Sequence, residues 1–136
     1  MGFSSEGTLY IRAFTAGDAL PVEGVLVRIR GATEETRLVE YSFLTDRNGL
    51  TKKVKLPAPS KNYSLAPGAA RIPYAVYNVE IFGGGFYQKR FFNVTVFADT
   101  ESVQPVAMIP ISKYAKNGVY PDGNLDVYIE ENPYLE

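Results

Sequence analysis

The sequence predicts an all-β fold, an antiparallel Greek-key β-sandwich of about seven short strands. Three observations predict it. Apolar residues recur with period two through most of the chain, glycine and proline turns separate the alternating runs, and no window carries a capped apolar pattern at i, i+3, i+4 and i+7. With 136 residues, 46% of them hydrophobic, the chain can bury one core without covalent help. One sandwich domain is expected over residues 1–111, followed by a C-terminal extension at 112–136 with one further strand.

In "TLYIRAF", Leu9, Ile11 and Ala13 share one face and Tyr10 and Arg12 the other; in "GVLVRIRG", Val25, Val27 and Ile29 oppose Leu26, Arg28 and Arg30. Further strands are expected over 37–44, 49–56, 74–82, 86–97 and 102–111. Between the third and fourth, Asp46, Arg47, Asn48 and Gly49 supply turn chemistry, and a hairpin with positive φ at Asn48 or Gly49 follows. Leu50, Val54 and Leu56 should then point inward, Lys53 and Lys55 outward, and Pro57 and Pro59 should end the ladder because proline offers no N–H. The Pro/Ala/Ser-rich run after Pro59 has no periodicity and reads as a connection between the sheets. Leu125, Val127 and Ile129 alternate with Asp126, Tyr128 and Glu130 as in one more strand. That strand can close an edge of its own sandwich or add to the edge of a neighbouring copy.

Cysteine and histidine are both absent. Disulfides, thiolate or imidazole metal ligands, and serine-histidine or cysteine-histidine catalysis are thereby excluded. A formal net charge of −1 argues against a nucleic-acid partner; Lys52, Lys53, Lys55 and Lys61 read as a solvated strand face. "FGGGFY" lacks the lysine, the Ser/Thr and the following helix of a phosphate loop and reads as a turn. Adjacent glutamates at 34/35 and 130/131 point apart on a strand and do not make a calcium loop. The triplets starting at Asn62 and Asn93 fit glycosylation sequons, which carry weight only in a secreted protein. "MGFSSE" fits the loose myristoylation pattern, too short to carry an expectation. No basic leader with an apolar core is visible, and no apolar run reaches the ~20 residues that span a bilayer. The expectation is synthesis without a signal peptide, in a cytoplasm or spore or released within an assembly.

"ALPVEGVLVRI", "TDRNGL" and "YNVEIFGGGF" together resemble the transthyretin-like (prealbumin-like) domains of the carboxypeptidase-regulatory type, a sandwich related to the immunoglobulin-like folds. Pro21, Gly24 and Val27, then Thr45, Asp46 and Gly49, then Tyr77, Val79 and Gly85 match, with Phe86 where tyrosine is usual. "LPAPS", "YSLAP", "IPYAVYNVEI", "NVTVF" and "QPVAMIPI" are also similar to the small β-domain of spore cortex-lytic and peptidoglycan-binding proteins of spore-forming bacteria. The resemblance spans about residues 7 to 111 and implies a fold and a setting. The hydroxyisourate hydrolase of this fold class needs histidines and a C-terminal Tyr-Arg-Gly-Ser, both missing here. The isopeptide bond of pilin-type sandwiches needs a first-strand lysine, where this chain has Arg12.

The chain is therefore expected to be no enzyme, to hold no cofactor or metal, and to serve as a structural or assembly protein. It would self-associate or dock on another structural protein of a bacterial surface, spore or phage-like particle. Leu125, Val127, Tyr128 and Ile129 of the tail, with Phe91 and Phe97, are the candidate interaction residues, and Tyr10, Phe14 and Leu26 are further apolar side chains on the outward parity. The alternative is a carbohydrate- or peptidoglycan-binding module accessory to a cell-wall hydrolase, with Tyr63, Tyr74 and Tyr87 lining a cleft for the glycan. Gly24 and Gly49 should relieve backbone strain, and Tyr77, Val79 and Ile81 should form the buried face of a central strand.

Overall fold

The computed structural model describes residues 3–60 and 74–111 together with the backbone of 124–128. Among these residues eight strands occur: β1 (Ser5–Thr15), β2 (Leu26–Gly31), β3 (Glu40–Leu44), β4 (Val54–Ala58), β5 (Ala75–Phe82), β6 (Gln88–Val96), β7 (Glu101–Met108) and β8 (Asn124–Tyr128). A single 3-10 turn, Glu34–Thr36, interrupts them. The strands form a narrow sheet ordered β4-β1-β7 and a wide one ordered β3-β2-β5-β6-β8. Among the described residues no helix is long and apolar enough to cross a membrane.

Alternation explains the layers. Leu9, Ile11 and Ala13 of β1, Val54, Leu56 and Ala58 of β4, and Val106 and Met108 of β7 turn one face of the narrow sheet into an apolar surface. Val27 and Ile29 of β2, Tyr77, Val79 and Ile81 of β5, and Phe91, Val94 and Val96 of β6 do the same for the wide one. Neither surface is stable in water alone, so the two sheets bury them against each other as a β-sandwich. The Tyr77 hydroxyl crosses the layer to donate to the Pro57 carbonyl, so the largest buried side chain also joins the two sheets by a hydrogen bond.

Four details differ from the sequence-based expectation. The fold is not antiparallel throughout, because β1 pairs with β7, and β6 with β8, in parallel. Asp46 to Gly49 do form a tight turn, with Gly49 at φ 77 and its N–H bonded to the Asp46 carbonyl at 2.9 Å. It is no hairpin, however, since β3 pairs with β2 while β4 pairs with β1, and the turn passes the chain from one sheet to the other. Pro57 does not end its ladder either; it lies inside β4 opposite Glu6, tolerated because β4 is an edge strand. The fourth difference is a bulge in β6. The β5 ladder passes from Tyr77↔Val94 to Val79↔Phe91, with Asn93 at φ 63 as the extra residue. One inserted residue reverses the parity of everything before it, and Phe91, placed outward by strict alternation from Val94 and Val96, is therefore turned into the core.

Candidate functional site

Two sheets of unequal width leave the margin of the wider one thinly covered. β3 lies at that margin, and its residues show it: Tyr41 stands directly opposite fully buried Ile29 on the core-facing side, yet is 41% exposed. Phe43, opposite Val27, is half-buried and stacks on Tyr41 with ring centroids 6.0 Å apart and planes 13° from parallel. On the outward side Leu44 is 64% exposed and begins an apolar row that continues across the sheet through Leu26 and Phe82. Leu38, just before the strand, is 84% exposed.

The backbone of β3 is as informative as its side chains. Gly31 N–H donates to the Val39 carbonyl and Thr45 N–H to the Val25 carbonyl, both at 3.0 Å, bracketing the β2 ladder. In an antiparallel pair the residues bonded to the partner alternate with residues whose N–H and C=O point away. Val39, Tyr41, Phe43 and Thr45 therefore face β2, and the N–H and C=O of Glu40, Ser42 and Leu44 face away from it. Thr45 anchors this end: its buried hydroxyl donates to the Val22 carbonyl at 2.7 Å and accepts the Val25 N–H at 2.9 Å. By sequence Thr45 is only a match to a family pattern; in the structure its hydroxyl holds the 22–25 loop beside the end of β3.

Natural sheets protect their edges with proline, lysine, bulges or covering segments. β4 carries Pro57 and Lys55 with Lys53 just before it, and β7 carries Pro105. β3 has neither proline nor lysine and no register shift against β2. Its one charge, Glu40, is drawn back over the sheet by Arg28 and Arg30 at 3.8 and 3.7 Å. The arrangement can take an extended chain by hydrogen bonds along the edge and apolar contacts on both faces.

The other sequence candidates are scattered. Tyr10 and Phe14 lie on the outer side of the narrow sheet, each near a cation: Lys53 stands 5.5 Å from the Tyr10 ring and Arg12 5.0 Å from that of Phe14. Leu26 belongs to the outer side of the other sheet, so these three make no single patch. Lys53 also reaches Glu101 at 3.0 Å, and the hydrogen bond to that carboxylate, then its charge, raises the lysine pKa. Phe91 is buried and corrected above, while Phe97 is half-buried with its ring 5.6 Å from that of Tyr74. The expected glycan cleft also needs correction: Tyr74 and Tyr87 are 6% and 5% exposed, too enclosed to line an open cleft, and Tyr63 lies outside the described residues. Leu125, Val127 and Tyr128 take register positions beside Lys89, Phe91 and Phe92 of the same chain, and Ile129 lies outside the described residues. Glu34 and Glu35 are exposed on the 3-10 turn, Glu34 paired with Arg37 at 2.9 Å. Lys89, facing the core opposite Ile81, has its pKa lowered by burial.

No family model matches the chain, and no curated protein matches it. Solved structures do resemble it. A 3-chlorocatechol 1,2-dioxygenase from Rhodococcus opacus superposes with a TM-score of 0.53 at 12% identity, over 81% of this chain and 62% of that one. A catechol 1,2-dioxygenase from Acinetobacter sp. gives 0.53 at 14%, over 90% and 58%. The TIE protein of Bacillus anthracis gives 0.52 at 14%, over 79% of this chain and 17% of that one. The chain spans less than two thirds of each of these proteins, and at such identity the likeness is one of fold. It corrects one expectation. Dioxygenases are built on the same β-sandwich, so the reading of this chain as no enzyme does not stand.

Proposed function

We propose that the chain is a docking domain of a larger bacterial surface, spore or phage-like assembly, and that it takes up an extended segment of a protein partner along β3. The observation that carries this reading is an edge left unprotected among the described residues: outward N–H and C=O groups at Glu40, Ser42 and Leu44, flanked by exposed Leu38, Tyr41 and Leu44. Strand addition draws affinity from main-chain hydrogen bonds and specificity from alternate side chains, and β3 offers both. The similarity to the small β-domain of spore cortex-lytic proteins supports the bacterial setting.

Selection of short random peptides displayed on phage tests the reading. Peptides of alternating apolar residues should be enriched, should perturb the amide resonances of residues 38–44, and should lose binding to a Ser42→Pro variant. Ser42→Pro removes an outward N–H and leaves the β2 ladder whole. Enriched peptides that perturb another edge, or that bind the variant equally well, would refute it.

A further inference from the structure

We infer that the occupant of the β3 edge is a second copy of the same chain, paired antiparallel about a two-fold axis at Ser42. The inference rests on the docking reading above and names its partner. Along β3, Glu40, Ser42 and Leu44 are the residues that offer outward hydrogen-bonding groups. A strand lying antiparallel to its own copy pairs residues whose numbers have a constant sum, and the register Ser42 on the partner's Ser42 uses all three: Glu40 meets the partner's Leu44, and Leu44 the partner's Glu40. Sliding the copies by two residues either way leaves one open residue on each chain unmatched.

The side chains suit the same register. Residues directly opposite across an antiparallel pair share a face, so Tyr41 falls opposite the partner's Phe43 and Phe43 opposite the partner's Tyr41. These are the narrow, non-hydrogen-bonded positions, with Cα atoms about 4.5 Å apart, where aromatic pairs pack best. Four rings would then close the core-facing margin that the narrow sheet leaves half-covered, and the two wide sheets would become one continuous sheet. Ser42, small, uncharged and exposed, is the side chain that meets itself on the axis. The strand's one charge does not oppose the pairing. Glu40 and the partner's Glu40 stand four strand residues apart, about 13 Å, and each is held by Arg28 and Arg30 of its own chain. At physiological salt, charges so far apart are largely screened.

Sedimentation of the full-length chain from micromolar to millimolar concentration should show a monomer passing into a dimer. Ser42→Lys and Ser42→Asp each place like charges on the axis and should weaken that dimer by about tenfold or more. An equimolar mixture of the two variants should dimerise at least as well as the parent, because only a residue that meets itself is rescued in this way. A parent chain monomeric throughout, variants that dimerise like the parent, or a mixture that stays monomeric would each overturn the inference. Should a charged variant lose its melting transition, Ser42→Cys decides instead. The parent has no cysteine, and at a hydrogen-bonded pair the two Cβ atoms stand about 5.5 Å apart, too far for an unstrained disulfide but within reach of a short bismaleimide. Treatment with that crosslinker should then give a covalent dimer, and a chain that stays monomeric after it refutes the register. A monomer that still selects strand peptides leaves docking standing and removes the second copy; a chain that does neither loses both readings.

Discussion

Gly49 is held by two constraints. Its φ of 77 lies where side chains are strained, and an added Cβ would meet the Ala13 carbonyl oxygen at 2.3 Å. Backbone strain of about 1–3 kcal/mol and a clash with backbone of similar size place Gly49→Val at about 2–6 kcal/mol of lost stability. Chemical denaturation measures it, and a loss below 1 kcal/mol, about the cost of a tolerated loop change, would be incompatible with this turn. The positive φ was legible in "DRNG"; the Ala13 approach was not, because it comes from a strand distant in sequence. Tyr77 carries the next prediction. Burial raises its hydroxyl pKa, so it remains a neutral donor to the Pro57 carbonyl. Tyr77→Phe removes that bond between the sheets while keeping the ring, and should cost about 0.5–1.5 kcal/mol by urea denaturation. An unchanged midpoint would show that the hydroxyl contributes nothing to holding the sheets together.

Among the elements, β6 shows where pattern reading fails and why. Period two assigns a face only as long as no residue is inserted, and Asn93, with a side chain that tolerates the left-handed region, takes the bulge. An asparagine inside an aromatic and β-branched run was the available signal. The tail strand was legible from Leu125, Val127 and Ile129, but the alternation says nothing about which strand it joins. β8 lies parallel to β6 of its own chain, beside buried Phe91. Truncation after Asn117 should therefore uncover the β6 edge and lower the melting temperature, with the β3-mediated dimer retained in whatever fraction remains folded. Loss of the dimer without any thermal destabilisation would assign the tail to the interface instead.

For the whole molecule, the core belongs to neither sheet alone. Ile11 and Leu56 from one layer and Val79 and Ile81 from the other are all fully buried, so either layer unfolding strips the other. Ile11→Ala should cost about 2–5 kcal/mol. Far-ultraviolet dichroism and tyrosine emission, the chain having ten tyrosines and no tryptophan, should give one coincident transition in parent and variant. Separate transitions would mean that the sheets are independently stable.

The sequence by itself determined the strands, their turns and most of the buried set, because alternation and turn chemistry are local and act through a residue's immediate neighbours. Tertiary structure alone decided which strands pair, that β1 and β7 run parallel, and that three strands face five. Those depend on how distant segments share one core. The candidate site belongs to that second group. "RLVEYSFL" reads as a strand like the others, and only its place at the margin of the wider sheet leaves its backbone open and its aromatic rings half-covered.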